Sequence, residues 1–446
     1  MQPHIFTRLP KSIVEIGKDN QDYYFLTNKN VKSYELPKNY LEELLFIPDD
    51  FLPLRAGHNY HPHNNSLFWE IQEFFFQASP IPHRQISMLS TCALFSHLCA
   101  RWFYVGPYSA SSSLYYAILA PSGSGKEQPL MLLHDLLRQL DIEDEMIHGM
   151  ATAKRSLFEK LAEPPHKILM HFAELGSVLE SMSNKTDVRH RLINELILLW
   201  TRANRYYQND FYVKGSGVES SGKIIERPAL TILGDTIPEI FLKACRRDLY
   251  HNGFLNRFIV LITDIEAPHI NNVPQRTIPP HLVNWYRNLK QRHQQQGAPI
   301  YLTFDFDALM WIEEKSCHPD NLWRRHLEQV IRFSLAWTLC KNPHAQEVTQ
   351  TELVEVDQLF SPIRHTFVDH FEKNQLNSPF GELCDKIYKI IQKKARPDGS
   401  FLLKHIYQYA HLKSTECEEV LSALITAGKI FTKYHRNTKK YFLADD

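Results

Sequence analysis

The chain has 446 residues, too many for one ordinary hydrophobic core, so two or three domains are expected. Apolar residues make up 43% and charged residues 22%, a globular balance that excludes disorder on the scale of a domain. Its 50 basic and 50 acidic side chains cancel, so any contact with nucleic acid must come from a local patch and not from bulk charge.

Cys92, Cys99, Cys245, Cys317, Cys340, Cys384 and Cys417 are odd in number, form no Cys-x-x-Cys pair, and mostly sit in apolar, helical-looking stretches. Buried free thiols in a reducing compartment are expected. His58, His61 and His63 cluster without cysteine or carboxylate partners nearby, which suits a structural loop better than a zinc site. Residues 1–8 lack the apolar core of a signal segment. The longest apolar run, residues 86–104, is broken by Ser87, Ser90, His97 and Arg101, as in a buried helix and not a membrane span. A cytoplasmic protein without membrane contact is expected.

Residues 1–65 read as short strands and loops, with apolar pieces at 23–26 and 44–47. From Ser66 the pattern turns helical: Phe68, Ile71, Phe74 and Phe75 recur at three-to-four spacing, and Pro80 and Pro82 separate this helix from the next. The centre alternates strands at 114–120, 167–172, 229–234 and 258–262 with helices at 129–140 and 189–203, which predicts a largely parallel sheet covered on both faces. Residues 214–223 are rich in glycine and serine and read as a mobile loop. The prolines and glutamines of 271–298 read as an exit from the core, and 304–373 as helices with Leu327, Val330, Ile331, Leu335 and Leu339 on one stripe. The tail from Phe380 reads as three helices, 383–391, 402–410 and 414–427, and a hairpin over 430–443, the pattern of a winged helix.

The strongest chemical signal is Ala120-Pro121-Ser122-Gly123-Ser124-Gly125-Lys126-Glu127, which follows an apolar strand and precedes a helix. The glycines let the backbone wrap close to phosphate oxygens, successive N–H groups and the helix N-terminus face the anion, and Lys126 reaches the β- and γ-phosphates. Glu127 replaces the Ser or Thr that normally touches Mg²⁺, and Ala120 the first glycine. In the strand Lys167-Ile-Leu-Met-His-Phe-Ala-Glu-Leu-Gly176, Glu174 is placed to polarise an attacking water, while Ala173 stands where an acidic Mg²⁺ ligand often precedes it. A helix-initiating acid is the competing reading of Glu174. Gly234, Asp235 and Thr236 end a strand at the sheet edge where ligands bind in open α/β folds, either sensing a phosphate or simply turning into a helix. Arg257 opens an apolar strand, as an arginine supplied to a neighbour's nucleotide or as half of a structural ion pair.

These motifs, in this order, resemble those of the helicase-like P-loop ATPases of prophages, plasmids and integrative elements, across residues 66–370. The resemblance implies an α/β fold with a RecA-like P-loop NTPase core, helical flanking segments and the C-terminal winged helix. It divides the chain into an N-terminal segment of unassigned role (1–65), an ATPase core with helical lead-in (66–275), a helical extension (276–375) and the winged helix (380–446). It also implies ATP and Mg²⁺, a ring-forming homo-oligomer (a hexamer favoured), Arg257 acting in trans, and replication of a mobile element with replication partners. An acid after the P-loop lysine and a lone Glu at the strand end look like family traits. Glu127 and Glu174 are then the Mg²⁺-side acids.

The tail supplies the basic patch. Lys433, Arg436, Lys439 and Lys440, with Lys429, fall in a span free of Asp and Glu and interleaved with Tyr434, His435 and Tyr441, suited to a DNA backbone. Helix 414–427 carries Glu416, Glu418 and Glu419, so contact with single-stranded or forked DNA is expected to be non-specific. Two rivals share the motifs: an ATP-dependent switch, such as a loader or defence protein that docks through the winged helix, and a pseudo-ATPase scaffold.

Overall fold

A computed structural model describes residues 15–18, 24–28, 31–36, 67–149, 154–183, 190–208, 224–245, 253–263, 271–316, 321–376, 379–396, 399–401, 414–426, 429–435 and 438–443. The histidine cluster at 58–63, Cys317, the glycine-rich loop at 214–223 and the expected helix at 402–410 lie outside the described residues. The chain divides into two compact units, residues 1–364 and 365–446.

The first unit begins with a three-stranded antiparallel sheet of Glu15–Lys18, Tyr24–Asn28 and Val31–Leu36. Its centre contains helices α1 (Leu67–Ala78) and α2 (Arg84–Cys99), strand β1 (Tyr115–Leu119), helix α3 (Gln128–Gln139) and strands β2 (Met146–His148) and β3 (Lys167–Phe172). Helices α4 (Leu175–Ser183) and α5 (His190–Arg202), strand β4 (Ala229–Thr236), helix α6 (Pro238–Ala244) and strand β5 (Phe258–Ile262) complete it. The five strands pair in the order β5-β1-β4-β3-β2, all parallel. Every residue of β1, β3, β4 and β5 is buried, as expected of strands covered on both faces. This order is compatible with a RecA-like core, and it sets β4 between the strand that leads into the glycine-containing loop 120–127 and the strand that precedes Glu174.

Alternation along β1 shows which helices cover which face. The Tyr116 hydroxyl meets Ser96 Oγ of α2 at 2.7 Å, whereas the next side chain over, Tyr115, donates to the Leu196 carbonyl of α5 at 2.8 Å. Adjacent strand residues point to opposite faces, so α2 and α5 sandwich the sheet. The polar residues of buried α2 turn back on its own backbone: Ser90 Oγ donates to Ile86 O and Thr91 Oγ1 to Ser87 O, each at 2.8 Å. This satisfies hydroxyls that would otherwise be desolvated without a partner. The long apolar run of the sequence is therefore α2 running into a short strand. No helix among the described residues is long and apolar enough to cross a membrane. Cys92, Cys99, Cys245, Cys340 and Cys417 are buried free thiols.

Two parts of the first unit differ from the sequence reading. Residues 280–296, expected to leave the core, form a 17-residue helix, α7 (Pro280–Gln296), that buries Leu282, Trp285, Tyr286 and Leu289. Pro280 at its start and Gly297 just past its end (φ +63°) are the usual helix punctuation, and the Gln-rich run is its solvent face. A second, four-stranded sheet joins Glu347–Val348, Ile300–Phe304, Phe103–Val105 and Ala110–Ser111, in that order. Helix α8 (Asn321–Lys341) buries Val330, Leu335 and Leu339 of the expected stripe.

In the second unit, helix Pro379–Lys394 and helix Ser414–Thr426 enclose a core of Ile387, Ile391, Cys417, Val420, Leu421 and Leu424 with Phe401, Ile430 and Tyr441. Strands Ile430–His435 and Thr438–Leu443 form the expected hairpin, and Ser400–Phe401 adds a third strand beside Thr438–Leu443.

Helices α4 and α6 approach closely because position 176 has no side chain: a Cβ there would lie 2.7 Å from Ile240 Cγ2 and 3.0 Å from the Phe241 backbone nitrogen. Backbone cannot yield as a side-chain tip can. Gly176→Ala is therefore expected to destabilise the first unit by ~1–3 kcal/mol, seen as a lower midpoint in urea unfolding.

Candidate functional site

The loop between β1 and α3 is built around its two glycines. Gly123 and Gly125 have φ of +78° and +79°, in the left-handed region. Gly125 is constrained twice, because a Cβ there would lie 2.8 Å from Ile81 Cβ and 2.9 Å from the Ile81 carbonyl oxygen. The loop closes on itself through Ser124 N–H to Pro121 O at 3.3 Å and Gln128 N–H to Gly125 O at 3.0 Å. Glu127 is the N-cap of α3 but gives no side-chain cap, which leaves the first N–H groups of that helix without a side-chain acceptor. Ser122, Gly123 and Glu127 are exposed, and Pro121 is half-buried.

Two groups in this loop are withdrawn from water without a matching partner. Lys126 is only 6% exposed, and among the described residues its ammonium has one hydrogen-bond partner, the Pro121 carbonyl at 3.4 Å. Among the described residues no carboxylate stands within ion-pair range of it. Ser124 is buried as well, and its Oγ has no hydrogen-bond partner among the described residues. Buried charges are ordinarily paired and buried hydroxyls bonded, so this cradle is suited to an anion with several acceptor oxygens.

Thr236 links the loop to the acid. Its carbonyl accepts the Ala120 N–H at 3.1 Å, and its Oγ1 donates to Glu174 Oε2 at 3.3 Å. Glu174 itself is exposed and has φ +54°, unusual for a non-glycine residue. Its backbone is fixed by the start of α4, where the Ser177 N–H donates to Glu174 O at 2.9 Å. Leu175 seats over Gly234, where a Cβ would lie 2.6 Å from Leu175 Cδ2. Glu174 thus extends from a fixed corner with one oxygen held by Thr236.

Asp235, adjacent to Thr236, faces the other side of the sheet, towards α3. It is buried, and Nε2–H of buried His171 donates to its Oδ2 at 2.7 Å. The His171 ring meets His148 edge-on at 5.8 Å between centroids, and His148 lies 5.9 Å from His134 of α3. Burial, then the neighbouring His171 and His134, lowers the His148 pKa. These histidines carried no role in the sequence reading. His171 is the penultimate residue of β3, a visible clue, but its partner is 64 residues away.

Lys126, its loop, Glu174, Asp235 and Thr236 therefore gather at the carboxyl edge of β1, β3 and β4. Arg257 does not. It precedes Phe258, which pairs with Tyr115 at the start of β1, so it stands at the opposite, amino edge. It is 4% exposed, Nη1 donates to Gly253 O at 2.5 Å, and Nε has no hydrogen-bond partner among the described residues. Burial, then the nearby Arg325, depresses its pKa to about 10. Its surroundings on α8 form an ion network in which Arg332 Nη2 meets Glu328 Oε1 at 2.8 Å. Burial alone would raise the Glu328 carboxyl, but Arg332 and Arg325 outweigh it and hold Glu328 at about 2. To act on a neighbour's nucleotide, the Arg257 guanidinium would have to emerge from its own chain.

In the second unit, Lys433 is exposed and its ammonium lies 5.1 Å from the Phe431 ring and 5.5 Å from that of Phe442. Lys433 pairs across the hairpin with Lys440, and Tyr434 with Lys439. Arg436 lies outside the described residues.

The wall beside the loop has its own pH dependence. His83 caps α2, its Nδ1 accepting the Ile86 N–H at 3.4 Å and its Nε2 meeting Thr263 Oγ1 at 3.0 Å. Burial lowers its pKa from 6.5 to about 4. Folded His83 stays neutral while the unfolded chain takes up a proton, so its contribution is intact above pH 6.5 and is lost as pH falls towards about 4. His83→Asn is expected to flatten the dependence of unfolding free energy on pH across that window, measured by urea unfolding at a series of pH values.

A scan against protein-family models matches none, and no curated protein matches the chain.

Proposed function

We propose that the chain is a P-loop ATPase that couples ATP hydrolysis to work on DNA, as a helicase-like protein of mobile-element replication. The observation that carries the reading is the Lys126 ammonium, buried without a counter-charge in a loop of two left-handed glycines at the carboxyl edge of a parallel sheet. A triphosphate supplies what this cradle lacks. Its β- and γ-phosphate oxygens accept from the loop N–H groups, Ser124 Oγ and Lys126.

Glu174 acts as general base. It takes a proton from water as the water oxygen bonds to the γ-phosphorus and the bond to the β–γ bridging oxygen breaks, releasing ADP and phosphate. Thr236 keeps Glu174 oriented for this. Mg²⁺, when bound, neutralises charge on the transferred phosphoryl group, and Glu127 and Glu174 are the acids that hold it, directly or through water. In the second unit, two helices and the hairpin are read as a winged helix whose Lys433, Arg436, Lys439 and Lys440 contact DNA phosphates without reading sequence. The working assembly is a homo-oligomeric ring, a hexamer favoured, that recruits replication partners.

One observation favours a second reading. Arg257, the residue expected to act across a ring interface, is engaged inside its own chain. A nucleotide-dependent switch that needs no trans arginine accommodates this without rearrangement.

Steady-state ATP hydrolysis with and without single-stranded DNA separates these readings. Wild type is expected to turn over and to accelerate with DNA. Lys126→Ala and Glu174→Gln should each lower kcat by at least about a hundredfold. Turnover that ignores DNA would favour the switch, and absence of turnover under any condition would overturn the ATPase reading.

A further inference from the structure

The chain lacks both groups that usually face Mg²⁺ in a phosphate loop of this kind: Glu127 replaces the hydroxyl residue, and Ala173 the acid before Glu174. The structure offers a carboxylate at the same sheet edge. Asp235 pairs in register with Ile118, one residue short of the strand end that leads into the loop. Its side chain lies on the α3 face, because its neighbour Gly234 faces Leu175 of α4 and alternate residues face oppositely. That is the face covered by the helix that begins at the loop. His134 of α3 completes the same histidine line, confirming on which side the cluster lies.

Asp235 is built as a held acid and not as an idle one. A carboxylate 3% exposed loses most of its hydration, and only one oxygen is compensated, through His171 Nε2. Among the described residues no Lys or Arg pairs with it, and His171 is its one hydrogen-bond donor. His171 is fixed in turn: its carbonyl accepts the Gly149 N–H at 2.9 Å, and His148 packs against its ring. A histidine that donates to one carboxylate oxygen aims the other, as outer-shell partners of metal-binding carboxylates do. No set of three or more His, Cys, Asp or Glu residues among those described is arranged to hold a metal by itself. Mg²⁺ with a nucleotide needs no such set, since one or two carboxylates suffice beside phosphate oxygens and water.

We infer that Asp235 is a further Mg²⁺-side carboxylate of the nucleotide site, beside Glu127 and Glu174, filling the role left vacant at Ala173, and that His171 is its positioning residue. The inference rests on the nucleotide-site reading above and deepens it. Asp235 reaches the ion directly or through one water and so binds Mg²⁺–triphosphate, while contributing nothing to triphosphate without the ion. His171 touches neither ion nor phosphate.

Calorimetric titration of a non-hydrolysable ATP analogue, with Mg²⁺ and with EDTA, tests this on the full chain. In wild type, Mg²⁺ is expected to tighten binding by at least about tenfold. Asp235→Asn should reduce that gain to less than about threefold while leaving the EDTA affinity equal or tighter. His171→Ala should lose part of the gain, whereas His171→Gln, which keeps a donor for Oδ2, should retain it. A wild-type Mg²⁺ gain in Asp235→Asn overturns the metal role, and a full gain in His171→Ala overturns the positioning role. If wild type binds the analogue in neither condition, the nucleotide site itself is wrong, an outcome separate from both.

Discussion

Withdrawing an ammonium from water costs several kcal/mol unless an opposite charge replaces the lost hydration. Lys126 is buried, and among the described residues its ammonium meets only a carbonyl oxygen. The surrounding architecture maintains that state. Gly125 lies against Ile81 so closely that no side chain fits, which holds the loop down on the lead-in segment between α1 and α2. β1 beneath it is locked on both sides by β4 and β5, so the loop starts from a rigid base. Some other buried cations are paired, although Arg257, like Lys126, meets a backbone carbonyl and no carboxylate among the described residues. Lys167 meets Glu145 at 3.2 Å and lies over the Trp102 ring, and Arg332 is paired with Glu328. What sets Lys126 apart is its place, in a loop of two left-handed glycines at the carboxyl edge of the sheet, whereas Arg257 lies at the amino edge.

The second constraint is the place of β4. A parallel sheet brings the carboxyl ends of its strands to one edge, and inserting β4 between β1 and β3 gives that edge a middle member. Thr236 uses the position to bond both neighbours, the loop through its carbonyl and Glu174 through its hydroxyl. Asp235, one residue earlier, faces the opposite side and is bonded by His171 of β3. A single strand end thereby sets an acid on each face of the sheet, and the distinction follows from the two-residue period of a strand.

Local signals made much of this legible in the sequence. The loop was readable because strand, glycines, lysine and helix are contiguous, and Glu174 because an acid ends a buried apolar run. α7 falls within the expected helical extension, but its prolines and glutamines suggested an exit from the core; Pro280 at its start and Gly297 after its end mark a helix, and it buries Leu282, Trp285, Tyr286 and Leu289. What the sequence did not disclose depends on pairing at a distance. The second sheet joins segments near 104, 302 and 347, each too short to stand out alone. The His171–Asp235 bond requires knowing that β3 and β4 are neighbours. The burial of Arg257 depends on α8, whose Arg325 and Arg332 lie far along the chain. A motif can nominate a residue, but exposure is a property of everything packed around it.

The most direct test of the account is whether the cradle recognises phosphates as such. Thermal unfolding of the full chain with AMP, ADP, ATP and inorganic tripolyphosphate compares the same site against increasing phosphate number. The account predicts that ATP and tripolyphosphate raise the unfolding temperature and AMP does not, with the effect absent in Lys126→Met. Equal shifts for AMP and ATP, or no shift with any of them, would contradict it.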